Sequence, residues 1–341
     1  MSVSLIPGIY SSYEIRSSVA GGRRAGLIGL AAAVSTAAAA EPVEIRSFSA
    51  AASIFGAGSN MTKLIRVLMQ NGAAAVLAVP VLSGDYAGAF ASLMSDGRVA
   101  YMLCDSRDAE VHAAMKSAIA GANEASKYRI GIVEAEGNSS QLVTKAQSLN
   151  YERMVLCGNR EPSGGTPGSA AAALAGLIAS SPDPAVPLNG SALKGLSGLA
   201  ESYTDAQLTA LIAGGVTPVA YDAGEHCVVR GVTTRTATAG EPDSSWREIN
   251  TVLIIDDVIP TVRSSLKKSF TGSKNNARTR GAVRTQVIIE LEDKLRKEII
   301  ESYGDVSVTA DSSDPTLCVV SFGFTVAHGL NSISLEACIT V

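Results

Sequence analysis

Residues 333–341 read Ile-Ser-Leu-Glu-Ala-Cys-Ile-Thr-Val. Apolar residues alternate here with Ser334, Glu336 and Thr340, and this period of two is typical of a half-buried β-strand. The apolar face carries Ile333, Leu335, Ala337, Ile339 and Val341. At about 3.4 Å per residue such a strand reaches about 30 Å, and its backbone N–H and C=O groups require a partner strand.

The start of the chain has a shorter segment of the same kind. Val3 and Leu5 alternate with serines before Pro7 interrupts the pattern. The apolar residues of this segment are Val3, Leu5, Ile6, Ile9 and Tyr10. We expect both ends to be arms that add to the sheets of other subunits, with backbone hydrogen bonds supplying the affinity. The alternative is that both strands close the edges of this chain's own sheet, because consecutive strands often pair locally.

Three motifs precede the final strand. They are RGVTT at 230–234, REINT at 247–251 continuing into DDVIPTVR at 256–263, and FTGSKNN at 270–276. Their order and wording resemble the C-terminal domain of contractile-tail sheath proteins, from phages, prophages, phage-like bacteriocins and injection systems. Near the start, LIPGIY at 5–10 is similar to the family's N-terminal arm, and PVEIRSFS at 42–49 to its first strand–helix unit.

The resemblance implies a structural subunit rather than an enzyme. Such subunits polymerise with themselves as stacked rings, forming a helical tube around an inner tail tube protein, and exchange their terminal strands with neighbours. The sheath contracts from a metastable extended state and drives the tube through a target envelope. The implied further partners are baseplate and tail terminator proteins, without nucleic acid, membrane insertion, cofactor or metal. The implied place of assembly is the bacterial cytoplasm, and the product is a virion tail or phage-like particle.

The first two thirds of the chain alternate short apolar runs with helical patterns. Strands are predicted at 26–31, 43–46, 74–79, 99–104, 129–134, 153–157, 217–221 and 227–232. Helices are predicted at 61–70 with Asn60 as its N-cap, 107–122, 139–148, 168–180, and 205–213 with Thr204 as its N-cap. Alternation with short links indicates an α/β layered domain with a mostly parallel sheet, and continuously apolar strands indicate burial on both faces.

The composition changes at 236–245, from Ala- and Gly-rich to charged. A helix is predicted from 276 to 303, with an apolar ridge that includes Val283, Val287 and Leu291, followed by strands at 305–309 and 317–326. We therefore predict a C-terminal α+β domain with two helices on a mainly antiparallel sheet. The predicted organisation is an N-terminal arm at 1–20, an outer α/β domain at 21–235, the C-terminal domain at 236–328 and a C-terminal arm at 329–341.

Composition excludes several classes of protein. The net charge of -4 argues against a nucleic-acid binder, because that affinity comes mostly from a basic surface. The five cysteines have no C-x-x-C spacing, which favours reduced core thiols in a cytosolic protein. Arg23-Arg24 and the uncharged residues 25–40 superficially resemble a twin-arginine export signal, but the apolar run is too short to span a bilayer. A strand followed by an Ala-rich loop is the preferred interpretation.

Two patterns suggest binding of a small anion. Gly-Gly-Thr-Pro-Gly-Ser at 164–169 opens a predicted helix and resembles a phosphate-binding loop, although it lacks the lysine and Pro167 has no N–H. Asp105, Glu134 and Glu136 follow predicted parallel strands at the edge where open α/β sheets bind ligands. The second hypothesis for function is therefore an α/β enzyme that acts on a small anionic substrate near Asp105 and Glu134.

A metal site is a weaker possibility. Asp222, Glu225, His226 and Cys227 lie close together in the chain. Neighbouring residues on a strand point to opposite faces, so His226 and Cys227 do not easily share one ion.

The chain has one concentration of basic residues, at the turn between the two C-terminal helices. It consists of Lys267, Lys268, Lys274, Arg278 and Arg280. One interpretation is a solvated face. The other, which we carry forward, is an electrostatic contact with the inner tube.

Overall fold

A seven-stranded sheet is the centre of the larger unit in the computed structural model, which describes residues 26–34, 41–124 and 127–331. In chain order the elements of this unit are β1 (Leu27–Ala33), β2 (Val43–Ile45), α1 (Phe48–Phe55), α2 (Asn60–Gln70), β3 (Val76–Val81), α3 (Tyr86–Ser95), β4 (Val99–Cys104), α4 (Ala109–Glu124), β5 (Ile130–Glu134), α5 (Ser139–Leu149), β6 (Met154–Cys157), α6 (Ser169–Ser180), β7 (Ala192–Leu193), α7 (Asp205–Ala213), β8 (Val216–Thr217), β9 (Val219–Asp222) and β10 (Glu225–Val228).

The sheet order is β2-β3-β1-β4-β5-β6-β8. Only β2 runs antiparallel to its neighbour within this sheet, so the predicted mostly parallel sheet is confirmed. Successive residues of each strand contribute to two different cores. Ile28 and Leu30 face the layer of α1, α2 and α6, whereas Ala31 faces the layer of α3, α4, α5 and α7. The unit is therefore a three-layer α/β/α structure.

The smaller unit is built on two long helices. Its elements are β11 (Ala237–Thr238), β12 (Glu241–Pro242), α8 (Ile249–Phe270), α9 (Ala277–Arg296), β13 (Ile300–Tyr303), β14 (Ser307–Ala310), β15 (Cys318–Ser321) and β16 (Phe324–Val326). The pairs β13–β16 and β14–β15 are antiparallel ribbons that pack with the helices around a third core. This is the predicted α+β arrangement.

Helix α8 belongs to both units. Ile249, Val252 and Leu253 at its start lie in the core of the larger unit, whereas Val258 and Val262 lie in the core of the smaller one. Because one continuous helix supplies buried residues to both cores, the units are joined by more than a linker.

Three predicted elements in the larger unit need correction. The N-cap of α2 is Ser59, whose hydroxyl accepts from the Thr62 N–H, because the Asn60 amide donates to Asp105 instead. The predicted strand at 217–221 is divided at Pro218, which has no N–H to donate to a ladder. The strand predicted at 227–232 ends at Val228.

Two corrections fall in the smaller unit. The helix predicted to reach 303 ends at Arg296, because Glu298 adopts a positive φ of 57° and the chain then pairs as β13 with β16. The strand predicted at 317–326 is two strands, which pair with different partners on either side of Gly323. Across 318–326 the predicted alternation of burial continues through the break.

Within the described residues, no helix combines the length and apolarity that crossing a membrane requires.

Candidate functional site

Asp105 follows β4 at the carboxyl edge of the parallel sheet, where the sequence predicted a ligand site. Its Oδ2 accepts from the Ala33 N–H at 3.0 Å and from the Asn60 amide at 2.8 Å. Its Oδ1 accepts from the Tyr86 hydroxyl at 2.7 Å. Burial, reinforced by the Asp105 carboxylate, raises the pKa of Tyr86 well above its usual value, so the phenol keeps its proton. Both oxygens of Asp105 are thus engaged by this chain's own donors.

Glu134 lies at the end of β5 and is fully buried. Its Oε1 accepts from the Arg107 Nε at 2.8 Å and from the Gly168 N–H at 3.2 Å, and its Oε2 accepts from the Ala170 N–H at 3.0 Å. Gly168 and Ala170 are at the N-terminus of α6, directly after the loop that resembled a phosphate site. Burial raises the pKa of Glu134, and the Arg107 charge together with the three hydrogen-bond donors opposes that rise. An internal carboxylate occupies the position that a bound anion would take.

The rest of the suspected loop is also satisfied internally. Glu161 is buried and accepts from the Thr166 N–H at 2.8 Å and from the N–H and hydroxyl of Ser197. The structure therefore places Asp105 and Glu134 at the predicted edge of the sheet. Both carboxylates belong to hydrogen-bond networks that this chain's own donors complete. Glu136 is exposed, and its Oε1 forms an ion pair of 2.7 Å with the Arg107 Nη1.

Other potentially reactive side chains near this edge are buried, and burial shifts their pKa values in favour of the uncharged form. Burial raises the pKa of the Cys104 thiol and of the Cys157 thiol to about 12, so both stay protonated at neutral pH. Burial lowers the pKa of His112, whose Nε2 lies 2.9 Å from the Ser106 carbonyl. The His226 ring packs against Tyr221 in a tilted arrangement, with ring centroids 5.4 Å apart. Across 26–34, 41–124 and 127–331, no group of three or more His, Cys, Asp or Glu residues is placed to hold a metal ion.

We predict that Glu134→Ala lowers the free energy of unfolding by about 2–4 kcal/mol, because it leaves the Arg107 Nε and the N–H groups of Gly168 and Ala170 without their buried acceptor. Glu136→Ala removes the exposed partner of the same Arg107 and should cost less than about 1 kcal/mol. Urea denaturation of both variants measures the difference. Equal stability of the two variants would contradict the structural role of Glu134.

The basic residues lie where the sequence placed them, at the end of α8 and the start of α9. Lys267, Lys268, Lys274 and Arg278 are exposed. Arg280 is half-buried and donates to the Asn275 side chain at 3.0 Å. The turn therefore presents several cations on one end of the helical hairpin.

The arm residues lie outside the described residues. They are Val3, Leu5, Ile6, Ile9, Tyr10, Ile333, Leu335, Ala337, Ile339 and Val341. The smaller unit has two antiparallel ribbons, β13–β16 and β14–β15, each with two strands among the described residues. A two-stranded ribbon has hydrogen-bonding groups along both edges, and it gains stability from each strand that is added.

The joint between the units was missed by the sequence analysis. Arg153, just before β6, makes two hydrogen bonds of 2.7 Å with Asp256 of α8, and both side chains are nearly buried. The Arg153 guanidinium also lies 4.6 Å from the Tyr128 ring centroid. The next residue of α8, Asp257, forms a buried ion pair with Lys294 of α9. The usable signal was Asp256-Asp257 within an apolar helix, since buried carboxylates require cationic partners.

Two family models match the sequence. The phage tail sheath protein central domain matches residues 81–234, and the phage tail sheath C-terminal domain matches residues 241–340. The chain belongs to the phage tail sheath family. The resemblance inferred from the three motifs is therefore confirmed.

A curated relative agrees with this assignment. The sequence is 31% identical over 110 residues to the "Tail sheath protein" of Bacillus phage SP01. That match covers 32% of this chain and 18% of the relative, so the matched segment spans less than a fifth of the relative's length.

Solved structures share the fold of this sheath-family chain. The anti-feeding prophage helical sheath in its contracted state has a TM-score of 0.74 at 17% identity, covering 98% of this chain and 99% of its own. The sheath of an extracellular contractile injection system, PVC, in its contracted state has a TM-score of 0.74 at 13% identity, covering 100% and 99%. A sheath tail protein from Desulfitobacterium hafniense has a TM-score of 0.69 at 12% identity, covering 94% and 100%.

Proposed function

We propose that this chain is the structural subunit of a contractile sheath. Copies polymerise as a helical tube around an inner tail tube, and neighbouring subunits are linked through the N-terminal arm at 1–20 and the C-terminal arm at 329–341. The sheath shortens from a metastable extended state and drives the inner tube through a target envelope. The observation that carries the proposal is the pair of sheath-domain matches, which together extend over most of the chain.

The closed carboxylate networks support a structural role over an enzymatic one. The enzyme hypothesis depended on Asp105 and Glu134. The carboxylate oxygens of both residues accept hydrogen bonds from the chain's own donors. A substrate anion would have to displace a buried carboxylate from the N-terminus of α6, and that exchange is unfavourable.

The ribbons of the smaller unit support strand addition. An arm with alternating apolar residues adds to an open ribbon edge through backbone hydrogen bonds, and its apolar face covers side chains beneath. Leu317, just before β15, and Val319, within β15, are each more than two-fifths exposed, so they offer apolar surface for such an arm.

Backbone-paired arms also suit a contracting lattice. They hold subunits together while the globular surfaces slide, so the polymer passes between two packings without breaking its links. The energy for contraction is stored at assembly, and no hydrolysis is required. In this scheme the basic turn at Lys268 and Lys274 contacts the inner tube in the extended state. Assembly takes place in the bacterial cytoplasm, and baseplate and terminator proteins bind the two ends of the polymer in a virion tail or phage-like particle.

Sedimentation of the purified chain over a range of concentrations tests the proposal. A sheath subunit should pass from small species to very large particles above a threshold concentration, as a polymer does. A single small oligomer at every concentration would contradict the proposal and favour the enzyme hypothesis.

We predict that the double variant Lys268→Glu and Lys274→Glu weakens co-sedimentation with the inner tube protein by roughly tenfold at low salt, because charge complementarity is lost. Self-assembly of the variant should be unchanged. Lys63→Glu, on the exposed face of α2, is the control for an added acidic residue. Tube binding that is equal in all three proteins would exclude the basic turn as the contact.

A further inference from the structure

The last described residues, which include the start of the C-terminal arm, lie against a proline-rich loop of the larger unit. This loop, at 182–190, follows α6 and contains Pro182, Pro184 and Pro187. Residues 327–331 leave β16 and pass over the loop. The contact between these residues and the loop holds the first residues of the arm. None of the sequence motifs predicted this contact.

The loop is held from both units, so it is a firm support. The Asn250 amide of α8 is buried and donates to the Pro184 carbonyl at 2.8 Å and to the Val186 carbonyl at 2.7 Å. Leu188 is buried in the core of the larger unit, and Ala185 packs against the core of the smaller one.

Gly329 lies directly on the ring of Pro187. A Cβ added at Gly329 would be 2.1 Å from the Pro187 Cγ, a distance that real Cβ atoms essentially never show, and 3.1 Å from its Cδ. The φ of Gly329 is outside the left-handed region, so the need for glycine is one of space. Two residues on, the Asn189 amide donates to the Asn331 side chain at 2.6 Å. These two contacts fix the position and direction of the chain at residue 331.

We infer that the Pro187–Gly329 contact and the Asn189–Asn331 hydrogen bond aim the C-terminal arm toward its acceptor sheet on a neighbouring subunit. The inference rests on the proposed function. Linking an arm to a fixed base raises its effective concentration at a site that the base points to, and misdirecting the base lowers it. Gly329, Pro187, Asn189 and Asn331 are therefore positioning residues for assembly.

The test measures the protein concentration at which half of the purified full-length chain sediments as polymer. Gly329→Ala should raise this concentration by about tenfold, because the added methyl group pushes the base of the arm off the proline ring. Pro187→Ala in the same chain removes Cγ and Cδ and leaves the nearest atom at 3.2 Å, so the double variant should recover to within about threefold of wild type. A merely structural role for Gly329 does not predict this rescue.

Two controls separate aim from folding. Gly323→Ala adds the same methyl group where nothing lies within 4 Å, and it should polymerise like wild type. Asn189→Ala removes only the exposed hydrogen bond and should raise the half-polymer concentration by about two- to fivefold while the melting temperature stays within about 2 °C.

The outcomes are distinguishable. If wild type polymerises and both Asn189→Ala and Gly329→Ala polymerise at the wild-type concentration, the inference is overturned. A failure of the Pro187→Ala rescue in a folded double variant overturns the steric basis. A wild-type chain that never polymerises overturns the proposed function itself.

Discussion

Replacing Arg153 by alanine should lower the free energy of unfolding by about 3–5 kcal/mol. The substitution leaves Asp256 nearly buried in α8 with neither of its two 2.7 Å hydrogen bonds. A buried charge without a partner is among the most destabilising changes in a folded protein. Urea denaturation monitored by circular dichroism measures the loss, and the transition should broaden if the two cores separate.

The same joint offers a discriminating pair of controls. Arg153→Met with Asp256→Leu fills the site with apolar side chains and should recover most of the stability, because replacing both ions removes the uncompensated charge. Arg296→Ala removes an exposed partner of Asp293 and should cost less than about 0.5 kcal/mol. A loss below about 1 kcal/mol for Arg153→Ala would show that the joint is not held by this ion pair.

Deleting residues 332–341 should abolish polymerisation and leave a folded subunit. These residues carry the apolar alternation of the proposed arm, and the backbone bonds that they make to a neighbour are lost together. The expected product sediments as a small species at every concentration, and its melting temperature stays within a few degrees of wild type because the three described cores are intact.

Single substitutions in the arm refine this prediction. Leu335→Pro removes a backbone N–H and should act like the deletion, because strand addition depends on that ladder. Glu336→Gln, on the opposite face, should polymerise like wild type. A truncated chain that is unfolded and aggregates would place the strand in its own core, and one that polymerises normally would exclude the arm from assembly.

Much of the larger unit follows from local pattern. β4 has the predicted bounds, and α7 begins after Thr204 as its capping side chain predicts. Buried parallel strands are continuously apolar, and helix caps are short-range, so both kinds of element are written in neighbouring residues. Helix α3 was missed because Tyr-Ala-Gly-Ala-Phe carries little periodicity, and its N-cap Asp85 was not recognised.

The boundary between α9 and β13 shows what local pattern does not contain. Ile299 and Ile300 continue the apolar ridge of the helix at the correct spacing, so the helix was extended through them. The structure ends the helix at Arg296 because Ile300 pairs with Val326 of β16, which lies twenty-six residues after it in the chain. A long-range pairing of this kind overrides local helical preference.

The candidate site shows the same contrast between features set by neighbouring residues and features set by distant ones. The positions of Asp105 and Glu134 at the carboxyl edge were predicted, but the donors that close them come from distant segments, including Asn60 and Ala170. The partners of Asp256 and Asp257 were also distant. Pairing between remote side chains depends on the assembled fold, so one sequence indicates that a partner is needed without naming it.

The most direct test of the account is a cryo-electron microscopy reconstruction of the polymer formed by the purified chain. We predict a helical tube in which residues 332–341 lie as a strand hydrogen-bonded to the C-terminal sheet of an adjacent copy. A reconstruction in which these residues pair only within their own subunit, or a preparation that yields no tube, would contradict the account.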